Sequence, residues 1–251
     1  MKRERFGSRM GFILVSAGCA IGIGNVWKFP YICGVYGGAA FILIYLAFLL
    51  ILGIPVLVCE FAVGRGSRKS VALSFEELAP EGTLWHRLKY IGIFGCYLLM
   101  MFYTMVGGWM MYYCYRSFRG EFAGTSPEQI SGAFGGMLLD LPTMAFWTIL
   151  ICLIGFAVCM LGLKSGVERI TKWMMAALLL IMLILAVHSV FLEGAAAGIR
   201  FYLVPDFQRM VESGIGNVVF AALSQAFFTL SLGIGAMLIF GSYLDRSHSL
   251  T

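Results

Sequence analysis

Two stretches of the 251-residue chain place glycine and oxygen-bearing residues where an ordinary apolar helix has no use for them. The first is Ala17-Gly18-Cys19-Ala20-Ile21-Gly22-Ile23-Gly24-Asn25, with Pro30 soon after. The second is Phe227-Phe228-Thr229-Leu230-Ser231-Leu232-Gly233-Ile234-Gly235, with Gln225 just upstream. Glycine weakens a helix interior by about 1 kcal/mol relative to alanine, so both stretches invite the helix to open and free its carbonyls and amides. In hydrocarbon an unpaired backbone group is costly, so a break persists only where protein or a bound ligand satisfies it. The competing explanation is close glycine-mediated helix packing. It accounts for one such stretch almost as well, and for two less well.

Other chemistry is sparse. The seven cysteines mostly lie in or beside apolar runs without C-x-x-C spacing, and His86, His188 and His248 are isolated. Neither pattern supports a transition-metal or redox centre. Glu60 and Lys28 are the only clear charges inside apolar runs, which leaves a membrane enzyme without a catalytic dyad and a channel without a charged ring.

The elements that carry these residues follow from composition. The chain is 60% hydrophobic and 12% charged, with a mean hydropathy of +0.89, against about 45–50% apolar and about 25% charged in soluble domains. That excludes a soluble globule, a disordered chain and a disulfide-stapled module. A membrane helix needs about 20 mostly apolar residues, and runs at 9–35, 39–63, 90–115, 141–163, 173–191 and 215–243 supply six in one transmembrane domain. The connections at 76–88, 119–140, 164–172 and 193–214 read as loops, with polar 120–136 as an outer one. Lys2, Arg3, Arg5, Arg9, Arg65, Arg68, Lys69, Arg87, Lys89, Lys164, Arg169, Lys172 and Arg246 fall on one side, and Arg116, Arg119, Arg200 and Arg209 on the other. The positive-inside rule then puts both termini in the cytoplasm of a multi-pass plasma-membrane (inner-membrane) protein. The net charge of +5 is spread among those loops, so it argues for an anionic inner leaflet rather than nucleic acid.

Three strings resemble the neurotransmitter:sodium symporter family, in its bacterial amino-acid branch. Ser8-Arg9-Met10-Gly11-Phe12-Ile13-Leu14, continued by Ala17 through Asn25 and Val26-Trp27-Lys28-Phe29-Pro30-Tyr31, is similar to its first helix. Gly37-Gly38-Ala39-Ala40-Phe41, Gly53-Ile54-Pro55 and Glu60-Phe61-Ala62-Val63-Gly64-Arg65 resemble its second, and Gln225 through Gly233 its sixth. The resemblance implies an all-α, five-plus-five inverted-repeat (leucine-transporter-like) fold. Helices one and six are unwound at mid-membrane, an arrangement for which this family is itself the standard example. It also implies sodium-coupled symport of a small neutral, hydrophobic amino acid by alternating access, with no enzymatic activity and Na+ as the only metal.

Carried over residue by residue, one sodium would be held by the Ala20 carbonyl, the Asn25 side-chain oxygen, the carbonyl and hydroxyl of Thr229, and the substrate carboxylate. Oxygen ligands suit a hard cation. A second sodium would use the carbonyls of Gly18 and Ile21 and ligands from an eighth helix. The substrate carboxylate would meet the Gly24 amide and the Tyr103 hydroxyl. Its ammonium would face the carbonyls of Ala20, Phe228 and Thr229 and the hydroxyl of Ser231. Amine transporters of the family carry an aspartate at the position of Gly22, so a chain with glycine there is expected to take a substrate bringing its own carboxylate. Leu99 and Ile234 would bound the side-chain pocket. Phe228 would lie as an outer lid against Tyr103, with Lys28 replacing the usual gate arginine. Arg3 would serve the inner gate, beside Phe6 where tryptophan is commoner. Glu60 would support the opened sixth helix, and Tyr45, Gln225 and Thr229 match the chloride site of chloride-dependent members. The partners implied are an amino acid, Na+ and the lipid bilayer; the oligomeric state is not specified.

Members of the family carry about twice as many helices, so the reading also raises a transport-incompetent fragment, cut after the sixth helix, as its alternative. The 251 residues alone are expected to show no sodium-driven uptake. Sodium-dependent amino-acid accumulation by proteoliposomes holding only this polypeptide would refute that expectation.

Overall fold

The computed structural model describes residues 9–22 and 24–244. Helices follow in the order α1 (Arg9–Ala20), α2 (Phe29–Val35), α3 (Ala39–Phe48), α4 (Ile54–Ser67), α5 (Val71–Leu78), α6 (Leu88–Phe118) and α7 (Pro127–Leu139). They continue with α8 (Leu141–Met160), α9 (Arg169–Val190), α10 (Ala195–Leu203), α11 (Phe207–Glu212), α12 (Ile215–Thr229) and α13 (Ala236–Ser242). Two compact units result: Met1–Gly92 with Leu163–Thr251, and Ile93–Gly162.

Within the first unit both opening spans are irregular, and proline explains much of this. Pro30 and Pro55 sit in the first turns of α2 and α4, each directly preceded by a wide π-helical turn, Gly24–Lys28 and Leu49–Gly53. A proline offers no N–H and its ring crowds the carbonyl four residues back, and a wider turn relieves both problems. The first span is also bent by 54° between Met10–Ala20 and Gly24–Val35. The sixth breaks outright after Thr229: Ser231, Gly233 and Gly235 take φ values of 52°, 83° and 75° before α13 begins. Three left-handed residues in five end a right-handed helix, and two of them are glycines that adopt that region without strain.

Small residues hold the broken spans together. Val218, Ala222 and Ala226 recur every fourth residue and form one buried stripe on α12, against Cys33, Phe41 and Tyr45. Phe29 adds its ring 5.0 Å from that of Tyr45. Lipid is as apolar as these side chains, so close packing rather than exclusion of water holds such helices together. The α4–α13 contact is closer still: a β-carbon on Gly64 would collide with the Leu238 carbonyl, and one on Gly241 would lie 2.6 Å from the Phe61 carbonyl oxygen. α5 is tied down by a 2.6 Å Lys69–Glu77 pair and by Lys89 on Glu76. The hydrogen bond from the Lys89 ammonium holds the Glu76 carboxyl below its ordinary range.

In the second unit, α6 and α8 meet where a β-carbon on Gly108 would come 2.9 Å from the Thr148 backbone nitrogen. The segment expected as an outer loop holds a helix instead. Ser126 and Gln129 cap the start of α7 reciprocally, with Pro127 in its first turn. That local signal outweighs the low hydrophobicity of the stretch. The connection at 193–214 likewise contains α10 and α11, the one at 76–88 takes in the last residues of α5, and α9 begins at Arg169 inside the charged stretch expected as loop. Among the described residues, Ala39–Ser67, Trp85–Phe118, Leu141–Met160 and Ser165–Val190 are long and apolar enough to cross a membrane, and the bent first pair makes a fifth span if counted as one.

Gly241→Leu is expected to destabilise the fold by about 1–3 kcal/mol, because the obstructing atoms are backbone. Thermal unfolding in detergent should show a Tm lowered by several degrees. Gly155→Leu on α8, where a β-carbon meets nothing within 4 Å, should cause no such drop.

Candidate functional site

The two breaks meet within the first unit. Asn25, in the wide turn of the first span, points its amide back along the chain, with Nδ2 donating to the Ala20 carbonyl at 2.8 Å. Its Oδ1 accepts from the Thr229 hydroxyl at 2.9 Å, joining the first break to the last residue of α12. Tyr45 of α3 donates to the same Thr229 hydroxyl at 3.1 Å. Gln225, one turn before Thr229 and 2% exposed, directs Nε2 at Asn25 Oδ1 (3.4 Å), the Gly24 carbonyl (3.5 Å) and the Thr229 hydroxyl (3.5 Å). One part-buried knot therefore contains the carbonyl, amide and hydroxyl oxygens of Ala20, Asn25 and Thr229.

A second tie lies just beyond it. Ser231 occupies left-handed backbone, which costs a non-glycine residue roughly 1–3 kcal/mol. Its hydroxyl donates to the Cys19 carbonyl at 3.1 Å, closing the first break onto the sixth. The Cys19 carbonyl is a contact that residue type alone does not advertise, because it comes from the backbone. The third tie is Glu60 of α4, whose Oε1 accepts from the Gly233 amide at 2.6 Å. Its Oε2 is buried without a hydrogen-bond partner among the described residues. Glu60 thus meets an amide that the broken helix gives up.

Phe228 covers Gly24 so closely that a β-carbon on that glycine would fall against the ring. On the ring's other contact, Lys28 Nζ lies 5.6 Å from its centroid, within cation–π range. Gly18 of α1 packs against α9, where a β-carbon on it would sit 2.9 Å from Thr171 Cγ2, and Ile21 follows the end of α1 with its N–H on the Ala17 carbonyl at 2.6 Å. Gly22 accepts from the Asn25 backbone N–H at 3.0 Å, and Ile234 lies half-buried between Gly233 and Gly235. Leu99 and Tyr103 stand on α6 in the second unit, with the Tyr103 ring 5.8 Å from that of Phe102. Arg3 and Phe6 lie outside the described residues.

These oxygens can do two things. As they stand they saturate one another through the Thr229 and Asn25 donors. Rotating the Thr229 hydroxyl and withdrawing Asn25 Nδ2 would free the Ala20 carbonyl, Asn25 Oδ1 and Thr229 Oγ1 as acceptors, an oxygen set that fits a hard cation better than a soft metal. Among the described residues no cluster of histidine, cysteine and acidic side chains could hold a metal ion.

Comparison with known proteins places this geometry. The sequence model of the Sodium:neurotransmitter symporter family matches residues 3–131 and 137–251. An uncharacterized sodium-dependent transporter of Bacillus subtilis is 35% identical over 250 residues, which is 99% of this chain and 54% of that protein. The sodium- and chloride-dependent taurine transporter of Bos taurus is 29% identical over 96% of this chain and 44% of its own length. The crystal structure of MhsT in complex with L-phenylalanine superposes with a TM-score of 0.87 at 38% identity, over 99% of this chain and 55% of that one. The chain spans about half the length of the curated relatives it matches. Its fold is all-α, the first six helices of a five-plus-five inverted repeat, with the first and sixth unwound.

Proposed function

The chain belongs to the sodium:neurotransmitter symporter family, and from that premise we propose that its six helices carry the sodium and substrate sites of a symporter for a neutral, hydrophobic amino acid. Its relatives are transporters rather than enzymes, and its helices are those of an integral membrane protein. The observation that carries the proposal is the Ala20–Asn25–Thr229 knot, which joins two broken spans through contacts of 2.8 and 2.9 Å. A sodium ion there displaces the Thr229 proton and the Asn25 amide from their present partners and takes the Ala20, Asn25 and Thr229 oxygens itself. A carboxylate from the substrate then completes the shell and meets the Gly24 N–H. Ion and substrate share a ligand sphere, so each binds better with the other present, which is the thermodynamic requirement for coupling.

The remaining roles follow. Gly18 and Ile21 carbonyls serve a second sodium. The substrate ammonium faces the carbonyls of Ala20, Phe228 and Thr229 and the Ser231 hydroxyl. Gly22 adds no carboxylate, so monoamines lack a counter-charge, while Ile234 keeps its side of the side-chain pocket apolar. The complex of MhsT with L-phenylalanine supports a hydrophobic amino acid. Phe228 is the lid and Lys28 the outer cation; Arg3 and Phe6 belong to the inner gate. Glu60 braces the sixth break through Gly233. Chloride is assigned to Tyr45, Gln225 and Thr229, in line with the chloride dependence stated for the bovine relative. The protein resides in the plasma membrane with both termini cytoplasmic.

In the transporter carrying these helices, Asn25→Ala and Thr229→Ala are each expected to raise the sodium concentration for half-maximal uptake about tenfold. That is the scale of one lost charge-assisted contact, ~1.5 kcal/mol. Ser189→Ala, which removes a hydroxyl bonded only within α9, should leave it unchanged. Uptake measured against sodium decides the matter, and unchanged sodium affinity in both site variants would overturn the proposed site.

A further inference from the structure

The connection between α4 and α6 carries charged and apolar side chains that none of the roles above uses. On its inner face α5 is fixed to the end of α4: Ser74 is fully buried, with its hydroxyl 2.7 Å from that of Ser67. On its outer face Lys69 neutralises Glu77, and Lys89 neutralises Glu76. Arg87, which is exposed, takes part in no ion pair among the described residues. Basic residues outnumber acidic ones across 65–89 even with Glu81 counted, so the connection as a whole favours an anion.

The turn that carries Arg87 is built rather than loose. The Thr83 hydroxyl donates to the Pro80 carbonyl at 2.7 Å, and His86 Nδ1 bonds to the Thr83 carbonyl at 2.9 Å. The same turn leaves Leu84 64% and Trp85 62% exposed, next to an α5 whose Leu73 is 49% exposed. Trp85 also opens the apolar span Trp85–Phe118. These side chains therefore stand where hydrocarbon meets headgroups, the depth at which tryptophan concentrates. A guanidinium at that depth offers a planar fork of N–H donors, which matches a phosphate pair of oxygens.

Behind this face lies the sixth break. Val71, the first residue of α5, is wedged between two glycines. A β-carbon on Gly235 would stand 2.5 Å from Val71 Cγ2, and one on Gly92 would stand 3.4 Å from its Cγ1. Gly235 is the left-handed residue that ends the break directly before α13. Whatever holds α5 still therefore holds that residue as well.

We propose that the Leu84–Trp85–Arg87 turn, beside α5, binds the headgroup of an anionic phospholipid, and that the bound lipid steadies the sixth break through Val71. Neither clause depends on what the chain transports or on which end of it faces the cytoplasm.

Hydrogen–deuterium exchange of the chain, one copy per nanodisc so that no second copy covers the face, tests both clauses. Discs of phosphatidylcholine alone are compared with discs to which phosphatidylglycerol is added. The anionic lipid is expected to slow exchange at 71–78 and 84–88 about fivefold, the effect of about 1 kcal/mol for a basic residue beside an anionic surface. Arg87→Gln should abolish that difference. Arg200→Gln, an equal charge change at an exposed position outside this connection, should leave it intact. Val71→Ala should keep the lipid effect at 84–88 and lose it at 229–235. Equal exchange in the two kinds of disc, or an Arg200 variant that behaves like the Arg87 variant, would overturn the lipid site. Inorganic phosphate reproducing the effect in phosphatidylcholine discs would also overturn it, by assigning the turn to a free anion. A lipid effect at 229–235 that survives Val71→Ala would overturn the wedge.

Discussion

Backbone groups released inside a bilayer find no water, so every amide and carbonyl that a membrane helix gives up must be met from within the protein or by a ligand. The rest of this structure answers that constraint. Two spans open, at Ala20 and at Thr229, and each is repaired by groups from the other or from α3 and α4. Asn25 and Ser231 reach backbone carbonyls, Thr229 and Gln225 reach the Asn25 amide, and Glu60 takes the Gly233 amide. A repair made of mutually saturating dipoles is also exchangeable. A cation can take over acceptors such as the Ala20 carbonyl and Asn25 Oδ1, and an anion can accept from the donors so released.

Such a repair needs a scaffold that brings the breaks close. The stripe of Val218, Ala222 and Ala226 seats α12 on α3, which places Tyr45 within 3.1 Å of Thr229. The paired glycines Gly64 and Gly241 let α4 and α13 approach backbone to backbone, which carries Glu60 to the break before α13. The turn at Gly37 and Gly38 fits because neither bears a β-carbon: one on Gly37 would stand 3.2 Å from the Asp206 carbonyl, and one on Gly38 would collide with that of Phe201. The small residues that read as weak helix formers in the chain are therefore the ones that set the distances at the site.

Much of this was legible from residue types. Glycines just before Asn25, and hydroxyls beside Gly233, announced two opened helices because glycine-mediated packing accounts for two such stretches less well than for one. Their partners were less legible. The Cys19 carbonyl is a backbone group with no signature. The helices α7, α10 and α11 were hidden for a different reason: they are short and of mixed polarity, so hydropathy passes over them. The capping pair Ser126 and Gln129 starts α7 locally, and the Asp206 side chain on the Arg209 amide starts α11. Hydrophobicity finds what crosses a membrane, and capping finds what lies at its edge.

The central claim of the proposed function is that the knot between the two breaks binds sodium through the Ala20, Asn25 and Thr229 oxygens. High-resolution structures of the transporter carrying these helices, one in sodium and one in N-methylglucamine, would test it directly. The account predicts a compact peak among the Ala20 carbonyl, Asn25 Oδ1 and Thr229 Oγ1 in sodium alone, with Asn25 Nδ2 withdrawn from Ala20. An identical hydrogen-bonded knot in both conditions, with no peak between those oxygens, would contradict it.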